Sequence, residues 1–223
     1  MCINWLRSSI GKKALMAVSG LVLVGFIISH LLGNLLIFGG PDALNAYGAK
    51  LRHLGWWLWA ARGFLIASVA VHITTSVQLA IENRRARPQG YRMQRYAETT
   101  LAARTMLISG LLVLAYLVYH LLHFTFRITN PSFSHRVDAL GRHDIYTMAV
   151  RSFQQIPISL AYIAGMAFVC LHLSHGVASA FQTLGLTSER TIPVLSWISR
   201  LFALAVFLGY SSIPIAVLLG MVK

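Results

Sequence analysis

The chain alternates long apolar runs with short clusters of Lys, Arg, Gly, Pro and Asn. Five of the runs, 14–38, 56–81, 105–126, 157–186 and 195–222, reach the roughly 20 residues that a helix needs to cross about 30 Å of hydrocarbon. Lipid offers no partner to an unpaired backbone group, and the runs are too long and too evenly apolar for barrel strands, so helices are the required form. The fold expected is an all-α integral membrane protein, one bundle of five transmembrane helices forming a single domain over 1–223.

The connections carry end signals. Gly39-Gly40-Pro41-Asp42 closes the first run, Asn83 to Pro88 the second and Thr129-Asn130-Pro131 the third, while Pro193 opens the last at a position helices tolerate. Stretches 39–55 and 127–156 read as long loops, and within the second, residues 144–153 read either as a short interfacial helix or as a structured loop.

Composition agrees: 57% of the 223 residues are hydrophobic and 11% charged, about half the charge of a soluble domain. The net charge of +13 would suit nucleic acid if the basic residues shared one solvated face, but they sit in clusters between apolar runs, which excludes that partner and points to the bilayer. Arg7, Lys12 and Lys13 precede the first run and Arg84, Arg85, Arg87, Arg92, Arg95 and Arg104 follow the second. The other side carries Lys50, Arg52 and Arg62, with Arg127, Arg136, Arg142 and Arg151 spread over its longer connection. The positive-inside bias therefore puts the N-terminus in the cytoplasm and makes Trp56, Trp57 and Trp59 an outer interfacial belt. The first run is too long for the core of a cleaved signal peptide and reads as a retained helix. Cys2 and Cys170 form no spaced pair, so neither a disulfide framework nor an iron–sulfur motif is expected.

Nine histidines are present, and the informative ones fall inside the runs: His30, His72, His120 with His123, and His172 with His175. Ionisable groups in a bilayer are costly and face the bundle interior, so a histidine in each of four successive spans marks a functional site. By depth, His30 and His120 lie toward the outer end and His72 and His172 toward the inner end. Two such pairs suit bis-histidine ligation of two b-type haems, which electrons would use to cross the bilayer. Gly25, Gly33, Gly110, Gly165 and Gly176 leave room for a macrocycle or serve plain helix packing. Residues three apart share a helical face, so spacing alone leaves open which of His120 and His123, and which of His172 and His175, would hold iron. A non-haem metal would want carboxylates, and the one acid in any span is Glu82 at its extreme end. A histidine-lined proton transporter is a further alternative, predicting an internal repeat that the sequence does not show.

The runs Ser8-Ser9-Ile10-Gly11-Lys12-Lys13, Ile28-Ser29-His30-Leu31-Leu32-Gly33-Asn34, Leu44-Asn45-Ala46-Tyr47, Tyr119-His120-Leu121-Leu122-His123-Phe124 and His172-Leu173-Ser174-His175-Gly176, on through Ala180-Phe181-Gln182-Thr183-Leu184-Gly185, resemble the cytochrome b subunit of succinate dehydrogenase/fumarate reductase, in its five-helix, two-haem form. The resemblance covers essentially the whole chain. It implies haem ligands at His30, His72, His120 and His172, and a membrane anchor in the bacterial inner membrane. It further implies docking of a flavoprotein with FAD and an iron–sulfur subunit on the cytoplasmic face, and electron exchange with a quinone, usually menaquinone. A higher oligomer of the complex is compatible with it, and the arginines 84–95 would serve subunit docking or attraction to anionic lipid. Haem propionates need cationic or hydrogen-bonding partners: Ser19, Arg104 and Gln182 are placed for the inner haem, Arg52 and Arg62 for the outer one. Asn34, His53 and His123 are candidates for a quinone pocket at the outer edge. Some fumarate reductases of this type use membrane glutamates near the outer end of helix two and two residues before the helix-four ligand. Here those places hold Trp56, Trp57, Trp59 and Arg62, and Cys170, so a proton path built on such acids is not expected. The nearest rival within the cytochromes is the di-haem anchor of a hydrogenase or formate dehydrogenase.

Overall fold

The computed structural model describes residues 8–86, 100–129 and 131–223. Among them the elements in chain order are α1 (Ser9–Asn34), a 3-10 turn (Leu35–Gly39), α2 (Pro41–His53), α3 (Trp56–Ala86), α4 (Leu101–Arg104), α5 (Met106–His120), a π-helical turn (Leu121–Thr125), α6 (Pro131–Ser134), α7 (Ile145–Phe153), α8 (Ile156–Thr183) and α9 (Thr191–Leu218). Five helical segments are long and apolar enough to cross a membrane: Ser9–Gly39, Trp56–Ala86, Met106–Thr125, Ile156–Thr183 and Thr191–Leu218. The chain is a multi-pass membrane protein.

The ends of the spans follow local chemistry. α1 starts at Ser9, ahead of its apolar run, because the Ser8 hydroxyl accepts from the Gly11 amide at 3.0 Å and caps the first turn. The fourth span stops at Thr183, short of Leu186, and Gly185 follows in the left-handed region. The fifth begins at Thr191 and ends at Leu218, a frame displaced toward the N-terminus from its apolar run.

Stretch 39–55 is not a loop. Gly40 at φ 89° turns the chain, Pro41 fills the first helical position, where its missing N–H costs nothing, and α2 follows. Residues 144–153 contain helix α7, capped by Asp144, whose carboxylate accepts from the Thr147 amide at 3.0 Å. Tyr146, Met148, Val150, Ser152 and Phe153 of α7 are buried, so it packs into the protein.

α1 packs on α3 and α8, and α8 packs on α5 and on α9, whereas α3 and α5 have no comparable contact. Four helices therefore stand in a ring in the order α3, α1, α8, α5, left open between the last and the first, with α9 laid against α8 and α1. An open crevice of about 390 Å³ lined by Val77, Ala80, Ile81, Arg84 and Leu107 marks that opening. At the N-terminal end Lys12 is paired with Glu82, which ties α1 to α3.

The opposite end carries a cap built from α2, α7 and the C-terminus, where Ile37, Leu44, Tyr146, Val150, Phe153, Tyr162, Ile213, Ala216, Val217 and Val222 form one buried cluster. Its polar hub is Asn45, 2% exposed. The Asn45 amide donates to Asp138 at 3.4 Å and Asp144 at 3.2 Å, and its carbonyl oxygen accepts from the Tyr146 amide at 3.0 Å. Arg142 bridges Asp138 at 2.7 Å and Asp42 at 2.8 Å, joining the 137–143 turn to the start of α2.

Candidate functional site: two histidine pairs inside the bundle

Four spans each turn a histidine inward, and the fold sorts them into two pairs. The rings of His30 on α1 and His120 on α5 have centres 5.9 Å apart and stand 84° to each other. Those of His72 on α3 and His172 on α8 are 6.3 Å apart at 74°. In each pair the partners come from diagonal helices of the ring, so both pairs span its interior.

Two imidazoles on opposite sides of one metal, each at a nitrogen–metal distance of about 2 Å, have ring centres about 6 Å apart. Both pairs match that spacing. Among the described residues no three His, Cys, Asp or Glu side chains gather at one point, so each pair offers a metal two nitrogens and leaves the remaining positions to a group that brings its own. A b-type haem fits this donor set.

The surroundings of the two pairs differ. His72 Nδ1 lies 3.1 Å from the Met16 carbonyl oxygen, and His172 Nδ1 lies 3.2 Å from Ser109 Oγ. A carbonyl can only accept, so His72 carries its hydrogen on Nδ1 and its lone pair on Nε2. Two glycines make space for these rings: a Cβ on Gly20 would sit 3.2 Å from His72 Cε1, and one on Gly110 would sit 3.3 Å from His172 Cε1. In the other pair His120 Nδ1 is buried without a hydrogen-bond partner. The His30 ring stacks on Phe26 with centres 5.2 Å apart, and Tyr210 stands 6.2 Å away with its hydroxyl donating to the Ile27 carbonyl at 2.8 Å.

The π-helical turn separates the two histidines of the third span. Its extra residue per turn rotates His123 off the face it would share with His120 in an α-helix. His123 is 0% exposed, and both of its ring nitrogens are engaged, Nδ1 with Tyr162 Oη at 2.9 Å and Nε2 with Ser152 Oγ at 3.1 Å. His120 is the one that faces His30, and of His172 and His175 it is His172 that faces His72.

The remaining candidates are scattered. Ser19 is buried and donates within its own helix, to the Leu15 carbonyl at 2.7 Å. Arg104 is exposed at the start of the third span, and Gln182 is exposed beside a crevice of about 370 Å³ that Ile10, Lys13 and Thr183 also line. At the other end Arg52, Arg62 and Arg127 come close enough that, after partial burial, the charges of Arg127 and Arg62 hold the Arg52 guanidinium below its ordinary value. Arg62 also lies over the Trp59 ring, 4.9 Å from its centre. The Asn34 amide donates to the His30 carbonyl at 2.9 Å, and His53 is exposed at the end of α2. Of the arginines in 84–95, Arg84 and Arg85 close α3, while Arg87, Arg92 and Arg95 lie outside the described residues. A Cβ on Gly33 would meet the Tyr47 ring and one on Gly165 the Tyr116 ring, so these two glycines serve helix packing; next to Gly25 a Cβ would find open space.

Sequence reading missed Ser109, Gly20 and the Met16 carbonyl. Ser109 beside Gly110 in an apolar span is a usable cue; a backbone carbonyl leaves none. Comparison of the chain with protein-family models, with curated proteins and with solved structures gives no match.

Proposed function

We propose that this chain is the di-haem cytochrome b anchor of a succinate:quinone oxidoreductase, a subunit of succinate dehydrogenase/fumarate reductase in the bacterial inner membrane. The observation that carries the reading is the pairing of four intramembrane histidines, each pair drawn from diagonal helices at the spacing of two axial imidazoles. The sequence runs that resemble that family supply the partners: a flavoprotein with FAD, an iron–sulfur subunit, and menaquinone as the usual quinone.

Haem, when bound, would supply reversible one-electron chemistry. The chain's own residues do the rest. His30 with His120, and His72 with His172, would hold the two cofactors, one pair to each, at different depths. The apolar spans keep water from both, and the Arg52, Arg62 and Arg127 cluster offers positive charge to the propionates of the outer haem. Dicarboxylate chemistry belongs to the flavoprotein partner. With the N-terminus in the cytoplasm and quinone at the outer pair, each electron crosses the membrane, at about 2.3 kcal/mol per 100 mV.

The test is a reduced-minus-oxidised visible spectrum of the purified complex with pyridine haemochrome quantitation, followed by reduction with succinate. Two haems b per chain, reduced by succinate, are expected. A preparation grown with iron that contains no haem b sinks the reading, and nickel or molybdenum in place of flavin in the partner subunits moves the chain to another respiratory complex. Succinate:menaquinone activity unaffected by uncoupler in sealed cells would remove the transmembrane electron path.

A further inference from the structure

Ser109 is the one residue of α5 that is buried, at 1% exposure. Its hydroxyl donates to the Met106 carbonyl at 3.1 Å, in the preceding turn, and its oxygen lies 3.2 Å from His172 Nδ1. A hydroxyl has one hydrogen; with that hydrogen on the carbonyl, the oxygen can only accept from the imidazole. That arrangement puts the imidazole hydrogen on Nδ1 and leaves the lone pair on Nε2.

We propose that Ser109 is the positioning residue of the inner haem site: its hydroxyl holds His172 in the Nδ1–H tautomer and turns Nε2 toward His72. The inference rests on the di-haem reading and adds an asymmetry to it. Across the site His72 is held in the matching tautomer by the Met16 carbonyl at 3.1 Å, and Gly20 and Gly110 let both rings lie close against neighbouring backbone. The outer pair has no such brace at His120, whose Nδ1 is buried without a partner. Outer partners of a metal-bound histidine fix ring orientation and raise ligand basicity, and their loss weakens metal sites about 10- to 100-fold. The inner haem is therefore the more firmly held of the two, and Ser109 is one reason.

The experiment uses the intact detergent-solubilised complex, with haem loss followed by capture with excess apomyoglobin and the low-spin haem signals followed by electron paramagnetic resonance. Ser109→Ala is expected to speed the slower of two loss phases about 10-fold and to shift one of the two low-spin signals, with the other phase and signal unchanged. Ser109→Thr, which keeps the hydroxyl, is expected to behave as wild type. The proposal is overturned if Ser109→Ala leaves both phases and both signals unchanged, or if Ser109→Thr matches Ser109→Ala. Should the alanine variant not accumulate, Ser109→Cys keeps the side-chain volume with a poorer acceptor, and unchanged haem loss there overturns the proposal equally. Absence of haem from the wild-type complex defeats the di-haem reading itself, a failure visible before any variant is compared.

Discussion

At the scale of single residues, the five intramembrane histidines after His30 divide by what their rings touch. His120 and His172 face a partner imidazole across the ring of helices, while His123 spends both nitrogens on Tyr162 and Ser152. His120→Ala and His172→Ala are each expected to leave one haem per chain, and His123→Ala and His175→Ala to leave two, read by pyridine haemochrome. Asn45 is the other residue with concentrated duty, since its amide and carbonyl serve two carboxylates and the Tyr146 amide from one buried position. Asn45→Ala strands the Tyr146 N–H, and a loss of about 1–3 kcal/mol is expected. A thermal melt of the solubilised protein checks it; an unchanged midpoint would mean that the hub is dispensable.

Among elements, the contact of α5 with α8 depends on a missing side chain. The Tyr116 ring fills the space over Gly165 where a Cβ would sit. Gly165→Val forces the two helices apart and is expected to cost about 1–3 kcal/mol, and more if the ring cannot turn aside. Because these helices present His120 and His172, haem content in that variant should fall along with stability. α7 shows the converse dependence, for its buried face is covered only once α2, α8 and α9 are in place.

At the scale of the whole molecule, the two ends are built differently and respond differently. The cap at the end away from the N-terminus has a titratable frame. His143 is held below its ordinary value of 6.5 by burial and by the charges of Arg52, Arg127 and His135, and Arg127 donates to its Nδ1 at 3.1 Å. A depressed histidine stabilises only while neutral, so its contribution is complete above 6.5 and is lost as pH falls through the folded-state value. Asp138 and Asp144 are partly desolvated, which pushes them up, but their hydrogen bonds, from Arg142 and Leu140 in one case and from Thr147 and Asn45 in the other, hold them below 3.8. Their contribution persists above 3.8 and goes only as pH falls further, through the depressed values. Amide exchange in α2 and the 137–143 turn should therefore rise in two steps on acidification, the first below pH 6.5; a single step, confined to pH below 3.8, would remove His143 from the frame. Orientation is tested on exposed positions at the two ends, Leu140 and Leu186. Leu140→Cys should react with a membrane-impermeant thiol reagent in intact cells, and Leu186→Cys only after permeabilisation; the reverse pattern inverts the topology.

The spans, their number and the four inward histidines were all legible in the chain, because lipid forces every backbone polar group into helical bonds and penalises any ionisable side chain without a purpose. Gly39-Gly40-Pro41-Asp42 read only as the close of the first span and stretch 39–55 as a loop, although Pro41 opens a helix there, since a helix of mixed polarity shows its buried face only against a partner. Tertiary structure decided what periodicity could not. The π-helical turn changes the angle between residues three apart, so that His120 and not His123 faces His30. Packing of α1 and α8 between α3 and α5 set the histidines on diagonals, and Ser109, Gly20 and the Met16 carbonyl were recruited to the imidazoles from other helices. Helix formation is a local property of a chain in a bilayer, whereas the meeting of two rings from distant spans depends on how whole helices pack.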